Sequence, residues 1–453
     1  VDANRVKQLE LFDESKGKTL TNGSAAFNDT AFASNKSTPV HRWVPWIAGF
    51  SREFVQSALE RYLGKRGTVL DPFAGVGTTL VEAILAGHHA IGFEINPYAA
   101  LACHTKLSAY RLDVNMTKGV IDRFQQFYSQ AVTADYTPLT KPPVGFRTRG
   151  EFYSPRVLHK VLIVHDFIAR LEDDALRDLF RVAFAATMVV YSNYSYEPSL
   201  GRRASAGKRD VEDFPVGQVI GHKLREMAQD IRWMQAQLNG KSPRAQVFNE
   251  SFFRSREKMR ASTIDLLITS PPYLNNYHYN RNTRPHLYWL GFVNTPRELK
   301  RLEEDNFGKY WQTVRQEPCV DLDFEPNDGE IAETLKRLRM KTPEKGVYGG
   351  NGWANYAASY FNDCHRFAKA AKYVLKPGAR ALVVIGNSIL QGVMIPTDSY
   401  LGKIAESVGL ELVDIHISRA TRVGSSIIQS DVRVAKAKDS HRLYEAVVEL
   451  RKR

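Results

Sequence analysis

Cysteine is scarce in this sequence: Cys103, Cys319 and Cys364 are the three in 453 residues, spaced too widely for a disulfide framework or a CxxC zinc pattern. That usage predicts a reducing, cytoplasmic setting. Histidine offers no metal site either, because none of the twelve forms an HExxH pattern or sits beside a close pair of cysteines. Long apolar runs are missing, and nothing approaches the roughly 18 residues of a membrane span. No secretory leader opens the sequence as given, so no membrane partner is expected. Internal repeats are absent. The hydrophobic share of 43% and charged share of 25% exclude a largely disordered or fibrous chain. Positive charge is in excess. Lys and Arg number 62 against 49 Asp and Glu, a formal +13, which suits a polyanionic partner or a plain basic surface.

The chain divides by pattern. Residues 1–40 are polar and aperiodic and read as an arm. After Ser51, a candidate N-cap, Phe54, Val55, Leu59 and Leu63 recur at helical spacing. GTVLDPFAG then reads as a short buried strand ending in a turn, TTLVEAILAG as a helix closed by Gly87, and AIGFEINP as a second strand. This is a βαβ unit, which implies a parallel sheet. Residues 105–244 form a helical insertion, with periodic apolar stretches at 149–171, 174–191 and 221–238. Strand patterns resume at RAQVFNES and IDLLITSPPY. Residues 293–350 form a second, mostly charged insertion, and a helix and three more strands follow. About seven strands in α/β order predict a doubly wound core built from 41–104, 245–292 and 351–453.

Two constellations carry chemistry. In the first, Asp71-Pro72-Phe73-Ala74-Gly75-Val76-Gly77-Thr78-Thr79 joins strand to helix, and Glu94-Ile95-Asn96 follows the next strand. Glycines at 75 and 77 allow a sharp turn and close approach of a ligand to the helix N-terminus. An acidic residue about twenty positions on suits ribose hydroxyls. A phosphate loop would need Lys after Gly77, and a dinucleotide fingerprint would need glycine where Leu80 stands. What remains is a nucleoside-type ligand with no phosphate to cradle, and S-adenosylmethionine fits. The second constellation is Thr269-Ser270-Pro271-Pro272-Tyr273, directly after a buried strand. A Pro-rich turn can simply end a strand, yet open α/β sheets bind their ligands at such strand ends.

Together the two motifs resemble the amino-group DNA methyltransferases, which methylate adenine N6 or cytosine N4. DPFAGVGTT is similar to their cofactor motif and TSPPY to their catalytic tetrapeptide. HRWVPWIAGFS, GFEINPYA and NES at 249–251 resemble their cofactor-flanking, ribose and adenine segments. The resemblance implies a Rossmann-like seven-stranded methyltransferase core, S-adenosyl-L-methionine as cofactor and double-stranded DNA as partner. A cognate restriction endonuclease is the further partner it allows; localisation would be cytoplasmic, at the nucleoid through DNA. By the resemblance, Asp71, Phe73, Ala74, Gly75, Gly77, Thr78 and Thr79 would shape the cofactor site. Glu94, with Ile95 and Asn96, would take the ribose, and Glu250 or Ser251 would touch the adenine. Ser270 and the Pro271 carbonyl would accept hydrogen bonds from the target amine, Pro272 would stiffen the turn, and Tyr273 would stack on the extruded base. Serine at 270, where the family's adenine enzymes carry aspartate, favours cytosine N4, with adenine N6 as the alternative.

Other features stand beside these motifs. Pro318-Cys319 matches the nucleophile pair of cytosine-C5 enzymes, but it lies in a polar insertion away from a strand end. Asn275, Tyr277, Arg281 and Arg284 interleave aromatic, amide and basic groups as a base-binding mouth would. Arg202, Arg203, Lys208 and Arg209 form a basic loop suited to DNA phosphates, or simply a solvated face. Arg422, Arg433, Lys436 and Lys438 are a weaker set of the same kind. An RNA methyltransferase, a catalytically silent DNA-binding relative and a dehydrogenase are the competing readings.

Overall fold

The computed structural model describes residues 32–46, 49–196, 200–274, 279–327, 329–421 and 443–453. Its centre is a seven-stranded sheet. In chain order the strands are β1 (Thr68–Asp71), β2 (His89–Phe93), β3 (Ala245–Phe248), β4 (Ile264–Thr269), β5 (Leu375–Gly386), β6 (Leu410–Thr421) and β7 (Leu443–Lys452). Across the sheet they run 6-7-5-4-1-2-3. The pairs β1–β2, β1–β4, β2–β3 and β4–β5 are parallel, and β7 alone runs antiparallel between β5 and β6. This is the α/β architecture that the strand pattern predicts. The order reverses between β1 and β4, which makes their carboxyl ends the switch point where such sheets bind ligands.

Alternating side chains of the sheet feed two separate cores. Val69, Leu266, Ile268, Leu382, Val384 and Val447 face one side. Leu70, Leu267, Val383, Ile385 and Val448 face the other, as the period of two in a strand requires. On the first side lie α1 (Arg52–Tyr62), α2 (Thr78–Leu85) and α3 (Pro97–Ser108). Helices α4 (Val114–Thr133), α5 (Pro155–Ala169), α6 (Asp174–Thr187) and α7 (Val216–Leu238) of the first insertion join them. Helix α8 (Tyr279–Trp289) gives its buried Leu287 and Tyr288 to the same core. On the second side α11 (Gly350–Val374) and α12 (Thr397–Ser407) pack with α10 (Glu330–Arg339) from the second insertion, which also contains the exposed α9 (Pro296–Glu304).

Local signals explain where these helices begin. Ser51 accepts from the Phe54 amide at 3.2 Å, Asp113 from Met116 at 2.7 Å and Asp173 from Leu176 at 2.9 Å, each satisfying an otherwise orphaned donor. Helix α4 goes beyond the three periodic stretches read in the sequence; it buries Val120, Ile121, Phe124 and Tyr128 on one seam. The end of the polar arm is firmly seated. Buried Asp230 of α7 accepts from the Val40 amide, the Arg42 guanidinium and the Trp43 indole, at 2.6 to 3.0 Å. His41 meets Glu82 of α2 at 2.7 Å. These bonds fix the course of residues 40–43 into Trp46.

Candidate active site

The carboxyl end of β1 delivers Asp71, and the carboxyl end of its neighbour β4 delivers Thr269. The Thr269 hydroxyl donates to Asp71 Oδ1 at 2.6 Å, and the Phe73 amide donates to the same oxygen at 3.0 Å. The two motifs, 198 residues apart, are thus bonded to each other. Asp71 is buried, and burial pushes its carboxyl up to about 6 against the lowering effect of the Thr269 bond.

From Asp71 the chain turns through Gly75 and Gly77, at φ of 51° and 89°, values that L side chains rarely adopt. Space is tight there as well. A Cβ on Gly77 would lie 2.7 Å from Cys103 Sγ, and one on Gly75 would lie 3.2 Å from the Trp46 indole nitrogen. Glu94, just past β2, accepts from the Gly75 amide at 2.8 Å and from the Asn96 amide at 2.7 Å. Burial, with Asp71 nearby, raises its carboxyl to about 7 despite those bonds. Asn249, just past β3, donates to the carbonyls of Glu94 and Ile95 at 2.8 and 3.2 Å, which aligns the third strand end with the second.

One cleft lies over these strand ends. Phe73, Gly75, Glu94, Ile95 and Asn96 of the first motif line it with Ser251, Ser270 and Pro272. Asp71, Thr78 and Thr79 are buried, and neither they nor Ala74 and Gly77 line it. Glu250 points elsewhere: Lys258 holds it at 2.8 Å and Arg254 lies at 3.8 Å, so Ser251 and Phe252 are what this segment gives the cleft. Tyr273 is half-buried beside Gly386 and donates its hydroxyl to Glu445 of β7 at 3.0 Å. The Pro272 carbonyl accepts from buried Tyr360 of α11 at 3.0 Å.

Several lining residues carry no mark in the sequence motifs. Trp46 and Phe93, which do belong to the flanking and ribose segments, line one part. Asn280 enters from α8, and Asp305, Asn306 and Phe307 come from the second insertion. Phe307 is the anchor of that loop. Its buried ring meets Phe73 at 5.1 Å and Tyr360 at 5.4 Å, both edge to face, and the next amide, of Gly308, donates to Asp363 at 3.0 Å.

A wider cavity, about 690 Å³, lies across Trp46 from the cleft. Lys36, Arg42, Arg203 and Lys223 line it with Tyr194 and Tyr196, and among the described residues no Asp or Glu does. In the basic loop, Arg203 donates to the Arg209 carbonyl at 3.0 Å, Arg202 lies 3.6 Å from Asp210, and Lys208 and Arg209 are exposed. Arg284 donates to the Arg147 carbonyl at 2.8 Å. Asn275, Tyr277, Arg422, Arg433, Lys436 and Lys438 lie outside the described residues, as does the side chain of Arg281. Cys319 is exposed, with its thiol pushed up mainly by desolvation and by Asp321. Among the described residues no helix is long and apolar enough to cross a membrane.

Comparison with known proteins gives concordant matches. A family model described as DNA methylase matches residues 14–103. The chain is 23% identical to the Type II methyltransferase M.BsoBI of Geobacillus stearothermophilus, over 94% of this chain and 89% of that protein. It is also 23% identical to the Type II methyltransferase M.AvaI of Nostoc sp. over 87% and 84%. With the Type II methyltransferase M.MvaI of Kocuria varians it shares 21% identity over 74% and 73%.

Proposed function

We propose that the chain is an amino-methyltransferase of the DNA N4/N6 type, and that it methylates cytosine N4 at a specific sequence in duplex DNA. S-adenosylmethionine is the methyl donor. The observation that carries the reading is the Thr269–Asp71 bond, which sets TSPPY beside the nucleoside-type loop at one switch point. The cleft suits this donor: its glycine turn admits a close ligand, Glu94 offers a carboxylate to ribose hydroxyls, and Asn280 brings an N–H that has no partner among the described residues. Bound there, the cofactor supplies an electrophilic methyl on a sulfonium.

The protein's own task is to hold the acceptor. An aryl amine is a poor nucleophile because its lone pair is delocalised into the ring. Ser270 Oγ and the Pro271 carbonyl accept its two N–H groups, favour tetrahedral nitrogen and aim the lone pair into the cleft. Such positioning is worth up to roughly 7–11 kcal/mol in well-aligned systems. A serine hydroxyl is a weaker acceptor than a carboxylate, so the amine keeps its proton until the methyl has been accepted. Tyr273 offers a face to the flipped base, whose extrusion costs a few kcal/mol. The wider cavity, lined by Lys36 and Arg203, gives the strand backbone a place outside the cofactor cleft. We assign the chain, like relatives that carry Type II names, to restriction–modification, with a cognate endonuclease as partner.

Labelled methyl transfer to duplex DNA, followed by digestion to nucleosides and mass spectrometry, tests the proposal. N4-methylcytosine is expected. N6-methyladenine would overturn the choice of base, and label on structured RNA alone, or on neither polymer, would overturn the assignment to DNA.

A further inference from the structure

Asn280 stands at the start of α8, seven positions after Tyr273, and its side chain has a forced orientation. Asn96, which caps α3, does the forcing. Asn96 Oδ1 accepts from the amides of Tyr98 and Ala99 at 3.1 and 3.2 Å, so its other terminal atom must be the Nδ2 donor. That donor serves Thr283 Oγ1 at 2.8 Å and Asn280 at 3.2 Å. The Asn280 atom facing it is therefore an acceptor, Oδ1, and Nδ2 is turned the other way. Asn280 is 4% exposed, lines the cleft, and among the described residues its Nδ2 has no hydrogen-bond partner. A buried amide donor left unmade costs roughly 1–3 kcal/mol. A ligand acceptor in the cleft removes that penalty. The Asn96 amide also holds Glu94, so the orphan donor and the acidic side chain are tied to one residue.

We propose that Asn280 Nδ2 donates to an acceptor oxygen of bound S-adenosylmethionine, a contact that rests on the methyltransferase reading above and adds a binding residue outside the cofactor motifs. Two oxygens have the required chemistry. A ribose hydroxyl that donates to Glu94 still has lone pairs to fill, and the carboxylate of the methionine end accepts more strongly. Either way α8, which follows the catalytic turn, takes part in holding the cofactor.

Asn280→Asp is the sharp test, because it keeps the oxygen for Asn96 and replaces only the orphan donor. Calorimetry with S-adenosylhomocysteine and with its decarboxylated analogue, S-adenosyl-3-thiopropylamine, reads the result without turnover. Asn280→Ala is run beside it, with thermal unfolding of the ligand-free proteins as the folding control. Loss of about tenfold or more in affinity for both ligands supports a ribose contact. Loss for S-adenosylhomocysteine alone supports a carboxylate contact. Unchanged affinity for both ligands in the two variants overturns the proposal. If the unaltered protein binds neither ligand, the methyltransferase reading falls and takes this contact with it, a result distinct from the other three.

Discussion

The two insertions differ in a way that their composition conceals. The first is rich in apolar residues and builds four helices onto one face of the sheet, burying Phe124, Phe180, Phe184 and Leu224 in the core that covers that face. The second is polar and charged, yet it sends Phe307, Ile331, Leu335 and Leu338 into the opposite core. It also gives the cleft Asp305, Asn306 and Phe307. A mostly polar segment can thus be part of the wall of the candidate site, provided that a few apolar anchors hold it. The first insertion, hydrophobic as it is, keeps its cationic loop at 202–209 away from the cleft over the strand ends and places Arg203 at the wider cavity. The expected division is that the second insertion serves the cofactor and the first serves the polyanion.

Removing the anchor gives the largest expected break in that division. Phe307→Ala deletes a buried ring that packs on Phe73 and Tyr360, and a drop of about 3–5 kcal/mol in stability is expected in denaturant unfolding. Affinity for S-adenosylhomocysteine should fall with it, whereas Arg202→Ser combined with Arg203→Ser should leave both quantities where they were. Equal effects from the two insertions would erase the comparison.

Next in size is a pH effect confined to the cofactor side. Burial raises Asp71 from 3.8 to about 6 and Glu94 from 4.5 to about 7. Both folded values lie above the unfolded ones. The stability these groups contribute is therefore complete below about pH 4 and is lost as pH rises through about 6 and then about 7. Ribose hydroxyls that donate to Glu94 favour its ionised form, so cofactor binding should release protons near pH 6.5. Affinity should weaken toward pH 6 by up to about tenfold per unit. Calorimetry in two buffers of different ionisation enthalpy measures the release, and its absence would remove Glu94 from the binding site.

Much of this site is legible in the sequence, and the limits follow from what sequence can encode. Ser51, Gly87 and the glycines at 75 and 77 are local signals, and each stands where its local chemistry predicts. TSPPY is readable as a strand end because Leu266–Thr269 is an unbroken buried run. The bond between Asp71 and Thr269 is not, since it depends on which strands become neighbours. Phe307 and Tyr360 are likewise tertiary, two aromatic residues among 23 Phe and 20 Tyr with no motif around them. Glu250 is a different case: Arg254, four residues on, and Lys258, eight on, stand in view as partners that draw it away from an adenine.

The smaller effects sharpen the comparison. Replacing Arg202 and Arg203 by serine should flatten the salt dependence of DNA binding, by about 0.9 in the logarithmic slope for each phosphate that the loop no longer neutralises. An unchanged slope would return that loop to a solvated surface. On the other side, Tyr360→Phe asks how the roof of the cleft reaches the chemistry. Phe307 packs on the Tyr360 ring, and the Tyr360 hydroxyl holds the Pro272 carbonyl, so the second insertion reaches the TSPPY turn through Tyr360 and its hydrogen bond. Removing that bond should cost about 1 kcal/mol, roughly fivefold. If Tyr360 positions the turn, the effect appears in kcat for methyl transfer, with the affinity for S-adenosylhomocysteine and the unfolding midpoint nearly unchanged. An effect confined to cofactor affinity would mean that the roof acts on the ligand alone, through Phe307 and its neighbours, and that the turn is held by its prolines.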